Sequence, residues 1–91
     1  MTRRTYAVLT AELDTSMTEG WARDSMLDSL RFSASAYRVS GEISAVVVAN
    51  IDTSDWWWSV RRSGNPIQSG DEATAANAFA LADKIIAATG S

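Results

Sequence analysis

Ninety-one residues, a formal net charge of −3 and the absence of Cys and His set strong limits on this chain. Without Cys there are no disulfides, thiolate nucleophiles or thiolate metal sites, and without His the usual general base and the commonest transition-metal ligand are missing, so most enzyme classes fall away. The eight basic residues, all Arg except Lys84, are scattered along an acidic chain with no polybasic footprint for nucleic acid or membrane, and the length fits one domain, residues 1–91, that buries about 60% of its unfolded surface.

Arg3-Arg4 ahead of Tyr6-Ala-Val-Leu9 begins like a targeting signal, but Glu12 and Asp14 cut the apolar stretch short and no run nears membrane-spanning length, so a cytoplasmic protein is expected. From Thr5 to Leu13, Ala7, Leu9, Ala11 and Leu13 alternate with Tyr6, Val8, Thr10 and Glu12, which predicts a strand with one face buried. Asp14-Thr15 breaks it. Ser16-Met-Thr-Glu19 matches a capping box and predicts a helix to about Arg31, with Ala22, Met26, Leu27 and Leu30 on one face and Trp21 and Phe32 nearly opposite. A strand over Ala34 to Val39, a turn at Ser40-Gly41 and a strand from Ile43 to Ile51 follow. After the polar turn Asp52-Thr-Ser-Asp55, the run from Trp56 to Arg62 alternates, with Trp56, Trp58 and Val60 facing one way and Trp57, Ser59 and Arg61 the other. Ser63-Gly64-Asn65 signals a hairpin, and Pro66, which has no amide to donate, marks the strand through Ser69 as a sheet edge. A second capping box, Ser69-Gly-Asp-Glu72, predicts a helix to about Ala88 whose apolar stripe is Ala75, Ala78, Phe79, Leu81, Ala82, Ile85 and Ile86. The predicted order is β-α-β-β-β-β-α, an α+β fold in which an antiparallel sheet of about five strands carries both helices on one face.

Two stretches nearly coincide, Tyr6 to Ser16 and Ser44 to Ser54, each an apolar run ending in Leu/Ile-Asp-Thr-Ser. Aspartic proteases place two carboxylates on Asp-Thr/Ser-Gly turns after apolar strands, so Asp14 and Asp52 raise the reading of a dimeric aspartyl hydrolase. The sequence departs from that pattern, because Ser16 and Ser54 stand in place of Gly and 91 residues cannot form two full lobes. Asp14 and Asp52 are therefore expected to satisfy turn amides, and no catalytic residue is assigned. Asp52 and Asp55 lack an EF-hand spacing, so neither a metal nor a cofactor is expected. Asp71 and Glu72 are expected to serve the cap and the positive end of the last helix.

Trp and Arg dominate binding hot spots, and alternation turns Trp57 away from the core beside Arg61 and Arg62. Trp57, Arg61, Arg62, Arg38 and Tyr37 are the candidate partner-binding residues. A protein is the leading partner; the alternative is a single-stranded nucleic acid stacked on the same aromatic and basic face. The ridge of Ala73, Ala76, Ala80 and Ala87 on the far side of the last helix would allow close approach of a second copy.

The C-terminal unit, Trp58-Ser-Val-Arg-Arg-Ser-Gly-Asn-Pro-Ile-Gln-Ser-Gly-Asp-Glu-Ala-Thr-Ala-Ala-Asn-Ala, resembles the hairpin-then-helix pattern common among small phage and prophage accessory proteins, including some anti-CRISPR proteins. It is also similar, more loosely, to the strand-strand-helix end of HicB-type antitoxins. The resemblance covers about the last third of the chain and carries over no functional residue. It implies a non-enzymatic protein that works by binding another macromolecule, as an inhibitor of a host defence complex or, in the alternative, as an antitoxin-like regulator.

Overall fold

The one run of three β-branched residues, Val46-Val47-Val48, lies in the central strand of the sheet, where stiff side chains pack well against neighbours on both sides. The computed structural model describes residues 6–23, 34–49 and 55–90. In chain order they form α1 (Tyr6–Ser16), β1 (Ala22–Arg23), β2 (Ser35–Ser40), β3 (Ile43–Ala49), β4 (Trp56–Arg62), β5 (Asn65–Glu72) and α2 (Ala75–Gly90). The strands make one antiparallel meander, β1-β2-β3-β4-β5, with both helices packed against it. The α+β class, the five antiparallel strands and the two helices are as expected; the element order at the N-terminus is not.

Residues 6–16 are a helix, in place of the strand expected from Thr5 to Leu13 and the break expected at Asp14-Thr15. Leu9 and Leu13 satisfy both periods, alternating along a strand and stacking at i and i+4 on a helix, and both are fully buried in the helix. Ala, Leu and Glu favour the helix, whereas the matching stretch in β3 carries the three Val. Ser16 consequently ends α1, and residues 17–23, the described part of the helix expected from there to Arg31, are not helical. Met17 still donates to the Leu13 carbonyl, a turn closes from Trp21 N to Thr18 O, and Ala22 and Arg23 pair with β2. Its remaining residues, Met26, Leu27, Leu30 and Phe32 among them, lie outside the described residues.

The second capping box is also overridden. Ser69 to Glu72 continue β5 because Ser59, Trp58, Trp57 and Trp56 offer them a full ladder. The cap of α2 is instead Thr74, whose Oγ1 accepts from Asn77 N at 3.2 Å. Glu12 of α1 supplies a second acceptor, taking the Ala75 amide at 2.8 Å and placing a carboxylate at the positive end of α2.

Beneath the helices, Ala36, Ile43, Ala45, Val47, Ala49, Trp56, Trp58 and Val60 join Leu9, Leu13, Ala75, Ala78, Phe79, Ala82 and Ile86 in one buried cluster. Small residues on the central strands leave room for two indoles. The Trp58 ring lies over Gly70, where a Cβ would come within 3.1 Å of Nε1, and this approach lets Nε1 donate to Glu72 at 3.2 Å. Trp21 packs edge-on against Phe79, ring centroids 4.9 Å apart.

Asp83, half-buried on α2, ties three segments together. Its Oδ1 accepts from Trp21 Nε1 and from Arg38 Nη1, each at 2.8 Å, and its Oδ2 accepts from Thr18 Oγ1. Gly20, at φ +95°, makes this possible, since a Cβ there would meet the Arg38 guanidinium at 3.0 Å. Removing the carboxylate strands Arg38 in a partly buried place, so Asp83→Ala is expected to cost about 2–4 kcal/mol and Asp83→Asn roughly half of that, because the amide oxygen still accepts. Urea unfolding of the two variants measures both; equal losses would mean that the Oδ1 acceptor contributes nothing.

Candidate functional site

In β2, β3 and β4 every second residue points away from the helices, and cross-strand register sets these residues in three rows. One row is Ser35, Val48, Trp57 and Asp71. The next is Tyr37, Val46, Ser59 and Ser69, and the third is Val39, Ser44, Arg61 and Pro66. Reading diagonally, Val39, Tyr37, Val46, Val48 and Trp57 form a continuous apolar stripe about 17 Å long at ordinary strand spacings. Val39 is 65% exposed, Tyr37 44% and Trp57 38%, while Val46 and Val48 are half-buried between them. Ser44, Ser59, Ser69 and Arg61 flank the stripe on one side.

The Trp triplet is divided as alternation requires. Trp56 and Trp58 are in the core, and Trp57 is on the open face. Of the other candidate residues, Tyr37 and Arg61 share that face with Trp57. Arg38 and Arg62 do not, since each alternates to the other side of its strand. Arg38 lies beneath α2 on Asp83, and Arg62 pairs with Glu42 across the hairpin end at 3.6 Å. Arg23 is likewise engaged, donating to both oxygens of Asp14 at 3.2 Å. Among the described arginines, Arg61 alone has no carboxylate beside it.

The sequence reading missed Val39, Val46, Val48 and Asp71 as members of this face. A signal for the valines was present, because a strand such as Ile43–Ala49 that is apolar at nearly every position is the pattern of a strand covered on both sides. Asp71 had been expected at the helix cap; it stands on the open face next to Trp57, where strand pairing rather than helix capping places it. Ile67 is the extra residue of a bulge where β5 slips against Val60 and Arg61, and it is 40% exposed at the sheet edge. Bulge and Pro66 together interrupt the outer ladder of that strand.

Asp14, expected at a strand end, sits on the exposed side of α1 and holds Arg23 rather than turn amides. Its proposed counterpart Asp52 lies outside the described residues. Among the described residues no group of acidic side chains is arranged to hold a metal ion, and no helix is long and apolar enough to cross a membrane. The chain matches no family model, no curated protein and no solved structure.

The two sides of β4 predict different mutational outcomes. Truncating Trp56 or Trp58 to Ala empties a large part of the core and is expected to cost about 3–5 kcal/mol, whereas Trp57→Ala should cost about 1–2 kcal/mol. Thermal melts of the three variants rank them, and a Trp57→Ala protein melting as early as the other two would place its indole in the core.

Proposed function

We propose that this protein is a non-enzymatic protein-contact module acting in the cytoplasm, and that its contact surface is the open face of the sheet centred on Trp57. The observation that carries this reading is the mismatch on β3. Its side chains are largely apolar on both faces, yet the described helices cover only one, and among the described residues Val46, Val48 and the exposed Trp57 and Tyr37 form a connected apolar stripe on the other. A partner laid on that stripe removes from water the residue types that dominate interface energetics. The likeness of the C-terminal hairpin and helix to phage accessory proteins supports a narrower version, in which the partner is a host defence complex, but it adds no residue to the site.

The nucleic-acid alternative draws less support. Arg38 and Arg62 are held by Asp83 and Glu42, and Arg61 shares the open face with Asp71. Among the described residues of the open face, a single guanidinium without a carboxylate beside it releases few counterions. Fluorescence anisotropy with single-stranded oligonucleotides should therefore give a Kd of roughly 10⁻⁵ M or weaker at physiological salt, and a sub-micromolar complex would reverse the ranking.

The protein-contact reading is tested by affinity capture. The immobilised chain, its Trp57→Ala variant and an Arg61→Ala variant are exposed to lysate of the cell that contains the protein. Proteins retained by the wild type should be lost or reduced at least about tenfold on Trp57→Ala, the usual scale for a central aromatic anchor, while the variant remains folded. Equal retention on all three columns would place the contact surface elsewhere.

A further inference from the structure

We propose that the open face pairs with the open face of a second copy, giving a two-fold dimer in which two sheets stack face to face with the helices outside. This rests on the reading of that face as a protein-contact surface and assigns its occupant.

Two features make the face complementary to itself. The first is the stripe, in which Val46 and Val48 are neighbours of equal size. The second is charge. Arg61 and Asp71 both stand exposed on this face, neither has an oppositely charged neighbour among the described residues, and the register places them two rows apart on adjacent strands. Consider a two-fold axis lying between the sheets that passes close to Ser59 and between Val46 and Val48. It lays Val46 of each copy over Val48 of the other and sets Trp57 over Val46 and Ser44 of the other copy. It also brings each Arg61 beside the opposite Asp71. With strands about 4.8 Å apart and same-face residues about 6.8 Å apart, that axis makes the strands of the two copies cross at about 40°, near the roughly 30° preferred by aligned sheets.

The arrangement also accounts for β3, which then lies in a sandwich with apolar cover on both sides. Four strands give a face only about 14 Å across, the small end of protein interfaces, so a dimer of micromolar strength is expected.

Sedimentation equilibrium of the full chain, from micromolar to millimolar concentration, measures it directly. The wild type should pass from monomer to dimer. Arg61→Asp and Asp71→Arg each set like charges against one another twice in the homodimer and should weaken it at least about tenfold. Mixing the two variants restores both oppositely charged contacts, so the mixture should dimerise like the wild type although neither component does alone. Rescue on mixing cannot come from damaged folds. A wild type that stays monomeric throughout overturns the inference, as does a dimer indifferent to Trp57→Ala and to both charge changes, which would assign association to another surface such as α2. A mixture no more associated than its components overturns it as well. If the chain is monomeric while Trp57→Ala still abolishes capture of a different protein, the second copy is excluded and the contact-surface reading stands.

Discussion

Three donors converge on the carboxylate of Asp83, and the arrangement of the whole domain depends on their meeting. Thr18 and Trp21 belong to the connection between α1 and β1, Arg38 to β2 and Asp83 to α2, so one half-buried acid joins the N-terminal segment, the sheet and the last helix. Hydrophobic burial alone is non-directional and would leave the angle of α2 on the sheet loosely set. The Arg38–Asp83 pair and the Trp21 hydrogen bond give it a register. They also position the Trp21 ring against Phe79, so that polar and apolar contacts support the same geometry.

A second link, from Glu12 to the amide of Ala75, works in the same direction. It makes the first helix a capping element for the last, which explains how a helix as short as α1 is held in place. Isolated helices of this length are marginal in water and draw their stability from packing. With both described helices committed to one side of the sheet, no other described element covers the opposite side. The apolar stripe on that side is thus a consequence of where the two helices are anchored.

The Trp strand was legible because alternation is a property of the backbone: Trp57 must oppose Trp56 and Trp58 in any extended conformation. The hairpin at Ser63-Gly64 and the edge position of β5 were legible for related reasons, since left-handed φ and a missing amide are local facts. Arg38 and Arg62 were grouped with Trp57 although alternation alone sets them opposite Tyr37 and Arg61; what the chain does not show is that Asp83 and Glu42 hold them there, because an ion-pair partner is chosen by distance in space. The near-repeat of residues 6–16 and 44–54 misled for a deeper reason. In a short segment, apolar residues four apart fit both a strand face and a helix face, and the choice falls to packing.

By itself, then, the sequence determined the chemistry available, with no thiol and no imidazole, together with the alternation of β4, the turn positions and the class of fold. These are one-residue or nearest-neighbour properties. Only the tertiary structure decided that residues 6–16 are a helix, that Thr74 and Glu12 rather than Ser69 cap α2, and that Arg61 alone among the described arginines is left without a carboxylate. It also assembled the stripe from Val39 to Trp57, whose members come from three strands and have no common pattern in the chain. Each of these depends on which distant group arrives beside a given residue, and that is settled when the sheet, the helices and their shared carboxylates close on one another.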